Sequence, residues 1–183
     1  KEYDGNALTC GEYTISSGAF VEGEGLDAVT VEGSQTLVGS SDNVIKEYKL
    51  KANTKAVNYV ISLVPGKLTV TDRSELYAIS VEANSASKMY DGEPITAEGF
   101  KALEFTVDGH VYTVSGLSAK RTGTNVSDSG IVAVEGSAIV LDAEGNDVTA
   151  QFKVSTKDGE LKITARSAAR SSSSSAVSPS GVL

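Results

Sequence analysis

Residues 102–114 read Ala-Leu-Glu-Phe-Thr-Val-Asp-Gly-His-Val-Tyr-Thr-Val, and this stretch decides the fold class. Apolar and polar residues alternate on both sides of Asp108-Gly109. An Asp-Gly pair in this setting is the strongest short signal for a type I′ hairpin turn, because that turn needs positive φ at both central residues. The pattern therefore predicts two antiparallel strands that meet at Asp108-Gly109.

The period of two continues along most of the chain. It is clear in residues 77–83, and short strands are also predicted for residues 131–135 and 138–142. Two further hairpins, each with a glycine in its turn, are predicted for residues 59–71 and 151–164. No window of 12 residues carries the apolar stripe of an amphipathic helix. The sequence therefore predicts an all-β protein with short strands.

Composition limits what this chain can do. Its 183 residues are 40% hydrophobic and 22% charged, with a formal net charge of −8, which indicates a folded acidic protein. Nucleic-acid binding is not expected, because phosphate contacts need clustered Lys and Arg. A single Cys and a single His exclude an intrachain disulfide and a zinc site built from these residues. No apolar run is long enough to predict a membrane-spanning helix.

Two stretches of the sequence occur twice, in the same order. Residues 1–9, Lys-Glu-Tyr-Asp-Gly-Asn-Ala-Leu-Thr, align with residues 88–96, Lys-Met-Tyr-Asp-Gly-Glu-Pro-Ile-Thr, at an offset of 87. Residues 58–70 align with residues 151–163 at an offset of 93. Since both ends of the unit recur in order, the sequence predicts two tandem copies of one module.

The repeat sets the predicted domain boundaries. We expect a first module at residues 1–73, a second at residues 74–165 and a serine-rich, low-complexity tail at residues 166–183. In the second copy an alternating stretch, residues 77–83, precedes the Tyr-Asp-Gly motif. The sequence begins at Lys1, inside that motif and without a signal-peptide pattern, so we expect an excised fragment whose first module lacks its first strand.

These motifs resemble the YDG-type and MBG-type repeats of large bacterial surface proteins and adhesins. The residues that carry the resemblance are 1–9 and 87–96, the stretch Gly-Ser-Gln-Thr at 33–36, the closing stretches 66–70 and 159–163, and residues 142–149. The resemblance implies a secreted bacterial protein at the cell surface, built as a β-rich stalk. It implies adhesion less strongly, because many such repeats are spacers.

We therefore expect two tandem immunoglobulin-like β-sandwiches, with β-grasp-like modules as the alternative, which would need a helix. The expected function is a non-catalytic structural spacer of a bacterial surface protein. The alternative is an adhesin module that binds carbohydrate or mucin. Expected partners are neighbouring repeats of the chain and a host or microbial glycan or protein. No cofactor, metal, nucleic acid or membrane insertion is expected.

The candidate site residues are the two Tyr-Asp-Gly motifs, Tyr3, Asp4 and Gly5 with Tyr90, Asp91 and Gly92. A turn is the favoured interpretation, because Asp can accept a hydrogen bond from the backbone two residues on and Gly supplies positive φ. We expect each Tyr to pack its ring while its hydroxyl stays in water. The other interpretation is a Tyr/Asp pair that faces a ligand.

Other reactive or ligating side chains are interpreted as structural. His110 is predicted to be a strand residue rather than a catalyst, and Cys10 a small packed residue. The oxygen-rich stretch Asp142, Glu144, Asn146 and Asp147 is predicted to be an acidic turn rather than a calcium loop, because the EF-hand Gly and Glu are not in register. Tyrosines that could instead form a sugar platform are Tyr13, Tyr48, Tyr59, Tyr77 and Tyr112.

Overall fold

A computed structural model describes residues 1–168 of the protein. Its strands are β1 Leu26–Glu32, β2 Gly39–Leu50, β3 Gly66–Val70, β4 Tyr77–Glu82, β5 Ala86–Met89, β6 Ile95–Glu98, β7 Glu104–Val107, β8 His110–Gly123, β9 Gly130–Val132, β10 Val134–Leu141, β11 Phe152–Lys157 and β12 Gly159–Thr164. Three short 3-10 helices complete it, namely Ala56–Asn58, Val126–Asp128 and Thr149–Gln151. The all-β prediction is confirmed. The predicted serine run of the tail lies outside the described residues.

The strands form four small sheets in the described part of the chain. Their orders are β1-β2-β3, β10-β8-β6 with β7 paired to β8, β11-β4, and β5-β12-β9. The β5–β12 pair is parallel, whereas β9–β12, β6–β8, β7–β8, β1–β2 and β2–β3 are antiparallel. Residues 1–168 contain no helix longer than three residues, so the β-grasp-like alternative lacks the helix it needs.

The hairpin at Asp108-Gly109 is confirmed. Val107 pairs with His110 across the turn, which leaves two residues in the loop. Both loop residues have positive φ, 48° for Asp108 and 82° for Gly109. A two-residue loop of this kind matches the right-handed twist of the flanking strands, which is why Asp-Gly is favoured there.

The other two predicted hairpins are wrong. Residues 59–63 form no strand, and β3 pairs with β2 instead. The later stretch does form β11 and β12, but β11 pairs with β4, and β12 with β5 and β9. The physical reason is loop length: one residue, Asp158, separates β11 from β12, and a tight hairpin needs two. The Asp158 Oδ1 instead accepts a hydrogen bond from the Val134 backbone N–H at 2.8 Å.

The chain groups into two compact units. One contains Lys1–Val81, Ala102–Leu117 and Ser137–Ser155; among the described residues, the other contains Glu82–Lys101, Ser118–Gly136 and residues 156–168. Both are discontinuous in sequence, because β4, β8, β10 and β11 contribute residues to each. The boundaries predicted at residues 73 and 165 describe repeats in the sequence, and that division stays a prediction.

Each unit has a small core of its own. Fully buried residues of the first unit include Tyr3, Val70, Tyr112, Val114 and Val140. The core cluster of the second unit is Ala83, Ala97, Ala119, Val132 and Leu161. The chain has no Trp, so in the first unit tyrosine rings supply the large apolar volume that a small core needs.

Candidate functional site

The first Tyr-Asp-Gly motif forms a hydrogen-bonded turn. The Asp4 Oδ1 accepts from the Lys1 ammonium at 2.6 Å and from the Asn6 backbone N–H at 2.9 Å. Gly5 follows with φ of +78°. Burial raises the pKa of Asp4, but the hydrogen bonds from Lys1 and Asn6 outweigh burial and hold it below the usual value. The turn interpretation therefore describes the geometry of this motif.

The second motif repeats this geometry atom for atom. The Asp91 Oδ1 accepts from the Lys88 ammonium at 2.6 Å and from the Glu93 backbone N–H at 3.0 Å. Gly92 has φ of +87°. The hydrogen bond from Lys88, followed by the one from Glu93, lowers the pKa of Asp91. Equivalent residues thus make equivalent bonds in both copies.

The two motif tyrosines differ in their surroundings. Tyr3 is 1% exposed, whereas Tyr90 is 39% exposed. The Tyr3 hydroxyl lies 3.4 Å from the Tyr112 hydroxyl in a buried contact. The expectation that each hydroxyl stays in water is therefore wrong for Tyr3, because a residue far along the chain covers it. Burial, followed by the hydrogen bond to Tyr112, raises the pKa of Tyr3 well above its usual range.

Aromatic rings pack beside Tyr112, whose hydroxyl contacts that of Tyr3. The Tyr112 and Phe152 rings meet edge to face with centroids 4.7 Å apart, and the Tyr77 and Phe152 centroids are 5.4 Å apart. Such pairs stabilise by about 0.5–1.5 kcal/mol beyond the area they bury. The Tyr77 hydroxyl donates to Asp108 Oδ2 at 2.8 Å, and burial together with this bond raises the pKa of Tyr77 to about 12.

Arg73 joins these rings to the first motif. Its Nη1 donates to the Tyr3 carbonyl at 2.9 Å and to the Tyr77 hydroxyl at 3.0 Å, while its Nε donates to the Glu75 carbonyl at 2.9 Å. Its guanidinium carbon also lies 3.8 Å from the centroid of the Tyr77 ring, which is a cation–π contact. One side chain therefore links the first motif to the segment at residues 73–77.

Gln151 completes this arrangement. It is 3% exposed, its Oε1 accepts from the Arg73 backbone N–H at 3.0 Å, and its Nε2 donates to Asp72 Oδ1 at 2.7 Å. A buried amide with both ends bonded fixes the backbone it touches. We call this set the junction cluster: Tyr3, Arg73, Tyr77, Tyr112, Gln151 and Phe152.

A second feature is an open groove of about 570 Å³. It is lined by two stretches of chain, residues 12–20 and 59–66, which we call its walls, and by Leu26, Val31 and Ile45. Asn43 also lines it and is 8% exposed; its Oδ1 has no hydrogen-bond partner among the described residues. The lining side chains are mostly uncharged, which suits packing rather than acid–base chemistry.

Sequence reasoning missed Arg73 and Gln151. A signal for Arg73 was present: Thr-Asp-Arg-Ser at residues 71–74 recurs as Thr-Ala-Arg-Ser at residues 164–167, at the same offset of 93 as the closing strands. Arg166 in the second copy is exposed, whereas Arg73 is half-buried. Gln151 carried no such signal, because its equivalent, Asn58, is exposed and makes neither bond.

The remaining sequence candidates are scattered. Cys10 is exposed, so its prediction as a packed residue is wrong. His110 opens β8, and its Nε2 lies 3.1 Å from Asn6 Oδ1. Tyr13 and Tyr48 are exposed, Tyr59 and Tyr77 half-buried and Tyr112 buried, so the five tyrosines present no shared exposed face as a set.

The acidic stretch forms a closed turn. Asp142 Oδ1 accepts backbone N–H groups of Glu144 at 3.0 Å and Asn146 at 2.8 Å, and Asp147 Oδ1 accepts from Thr149. These bonds use the Asp142 and Asp147 carboxylates, two of the groups that a calcium ion would need. Within residues 1–168, no three His, Cys, Asp or Glu side chains are grouped to hold a metal.

No protein-family model matches the chain, and no curated protein or solved structure matches it. Among the described residues, no helix has the length and apolar character that crossing a membrane requires.

Proposed function

We propose that this chain is a non-catalytic spacer segment of a bacterial surface protein, located outside the cell and built from two tandem, immunoglobulin-like β modules. The junction cluster is the observation that carries the proposal. It fixes Asp72 and Arg73, at the predicted module boundary. Gln151 donates to Asp72 and accepts from the Arg73 backbone N–H. The Arg73 guanidinium donates to Tyr3 and Tyr77 and lies over the Tyr77 ring. All six members of the cluster lie in the first compact unit, so the residues at the predicted boundary are held within a packed unit. A spacer needs boundaries held in this way, since a free linker would let neighbouring modules move independently.

Matching strand pairings support the tandem part of the proposal. In both copies the residue just before the Tyr-Asp-Gly motif pairs in parallel with the strand that closes the repeat. In both copies the residues just after the motif pair antiparallel with a stretch that lies later in the sequence. The pairs are Glu2–Thr71 and Met89–Thr164, then Leu8–Gln35 and Ile95–Gly123. The 3-10 helices Ala56–Asn58 and Thr149–Gln151 also correspond at the offset of 93. Agreement between the two copies in several independent strand pairings favours two copies of one module.

The surface location rests on the resemblance of the Tyr-Asp-Gly motifs to repeats of bacterial surface proteins. Composition is compatible with it. A chain with one Cys builds its modules without disulfides, and a net charge of −8 favours solubility.

Single-molecule pulling on the full chain tests the spacer role. The protein is pulled by handles attached at both ends. The wild type is expected to show no extension step until the force reaches that of its main unfolding event. Arg73→Ala is expected to add an extension step at lower force, because the boundary is no longer fixed. Arg166→Ala is the matched control and is expected to behave like the wild type. Free extension of the wild type at low force would contradict the proposal.

A second experiment tests the alternative that the chain is an adhesin module. A binder gains thermal stability of RT ln(1 + [L]/Kd), so its melting temperature rises with ligand concentration. A thermal-shift screen of the full chain against a glycan and mucin panel is expected to show no saturable rise. A saturable rise with one glycan class would replace the spacer by an adhesin module.

A further inference from the structure

The last elements of the two copies correspond closely, except that the second copy has a strand, β11, where the first copy has none. The 3-10 helices Ala56–Asn58 and Thr149–Gln151 correspond residue for residue, and so do β3 and the start of β12. Between these elements, the second copy forms β11, which pairs with β4. In the first copy the equivalent residues, 59–64, form no strand.

In the second copy, β4 has β11 on one side and a second neighbouring stretch on its opposite side. The end of β4 is bonded on one side to residue 157, where the Ala83 N–H donates to the Lys157 carbonyl at 2.9 Å. On the other side, the Lys101 N–H donates to the Glu82 carbonyl at 2.9 Å, and Ala83 bridges Phe100. The strand therefore lies between the β11 stretch and the stretch at residues 100–101.

The open groove occupies the equivalent place in the first copy. At the offset of 87, Phe100 and Lys101 correspond to Tyr13 and Thr14, which belong to one wall. At the offset of 93, Phe152 and Lys157 correspond to Tyr59 and Val64, which belong to the other wall. The two walls of the groove are thus the two stretches that flank β4 in the second copy.

The walls also have the backbone groups that a strand would pair with. In the described part of the chain, neither residues 13–20 nor residues 60–65 make a backbone–backbone hydrogen bond. Along the groove, Ile15 is 54% and Leu63 46% exposed. Unpaired edges beside apolar surface are the features that strand addition uses: main-chain bonds give affinity and alternate side chains fill the groove.

We propose that the groove binds an extended segment with the alternating apolar pattern of β4, entering from the N-terminal side of Lys1 as β4 enters ahead of Lys88. In β4 the inward residues are Ile79, 7% exposed, and Val81, fully buried. The occupant needs two such residues at this spacing. The inference rests on the two-copy part of the proposed function and is independent of the spacer role.

A strand graft tests the proposal with the chain's own residues. Residues 77–87 are added directly in front of Lys1 of the full chain, which reproduces the spacing of β4 from Lys88. The matched control carries the same addition with Ile79→Asp and Val81→Asp in the added copy alone. The unmodified chain is the reference for both.

Hydrogen exchange at residues 60–64 and the melting temperature are the readouts. The graft is expected to slow exchange at residues 60–64 at least tenfold and to raise the melting temperature by several degrees, whereas the Asp control matches the reference. Unchanged exchange in a folded grafted chain would overturn the proposal. A dimer with slowed exchange would overturn entry from the same chain's N-terminal side, since the strand would then fill a second copy's groove.

This test separates the two proposals. Pulling on Arg73→Ala reports the joint between modules, and the graft reports the groove. A failed graft beside a rigid wild-type joint leaves the spacer proposal standing, and the reverse result leaves the groove proposal standing.

Discussion

At the scale of single residues, the two Tyr-Asp-Gly turns form a natural matched pair. Gly5 and Gly92 both have positive φ, so Ala at either position costs about 1–2 kcal/mol of backbone strain. They differ in the space around them. A Cβ on Gly5 would lie 2.7 Å from the His110 ring and 2.9 Å from the Tyr112 hydroxyl, whereas a Cβ on Gly92 meets nothing within 4 Å.

We therefore predict that Gly5→Ala destabilises the protein by about 1–3 kcal/mol more than Gly92→Ala, the added cost of overpacking. Urea unfolding of both variants, followed by circular dichroism, measures the difference. Equal losses of stability would contradict the close packing of Gly5 against β8.

Because Asp91 is hydrogen-bonded as a carboxylate, the stability of the protein is expected to fall in acid. Its pKa is lowered in the folded state by hydrogen bonds from Lys88 and Glu93, so the stability it contributes is present above the unfolded pKa, near 4, and is lost as pH falls below it. Asp91→Asn is expected to lower the melting temperature at pH 7, with a smaller difference from the wild type at pH 3. A difference that stays constant from pH 7 to pH 3 would contradict this origin.

At the scale of elements, the boundary segment depends on Arg73. Its charged hydrogen bonds and its contact with the Tyr77 ring predict that Arg73→Ala costs about 2–3 kcal/mol of unfolding free energy. The equivalent Arg166 is exposed, so Arg166→Ala is expected to change stability by less than about 0.5 kcal/mol. Chemical denaturation of the two variants provides the comparison, and similar effects would show that Arg73 does not hold the boundary.

Elements that depend on local chemistry could be predicted from the sequence, and those that depend on distant partners could not. The turn at Asp108-Gly109 is set by two adjacent residues, and it forms as predicted. The β12 partner β5 comes from about 75 residues earlier, so the alternating pattern at residues 151–164 showed the strands but not their pairing. The burial of Tyr3 likewise depends on Tyr112, 109 residues away, which no local pattern indicates.

At the scale of the whole molecule, the tyrosines of the first unit's core limit the pH range over which the folded state is stable. Burial raises the pKa of Tyr3 well above its usual range and that of Tyr77 to about 12. A phenol whose folded pKa is raised contributes stability that is fully present below the unfolded pKa, near 10. That stability is lost as pH rises through the folded pKa. The core is therefore expected to resist alkali until these phenols ionise.

We predict that the protein loses its β circular dichroism between pH 10 and pH 12, together with a late step in tyrosine ionisation followed by ultraviolet absorbance. Tyr48 is 39% exposed and lies outside this buried set, so Tyr48→Phe is the control and is expected to leave the unfolding midpoint unchanged. Ionisation of Tyr3 and Tyr77 near pH 10, with the β signal intact, would contradict a core built on buried phenols. Because unfolding exposes the Tyr3 and Tyr77 hydroxyls, deprotonation in the unfolded chain pulls the equilibrium toward unfolding as pH rises.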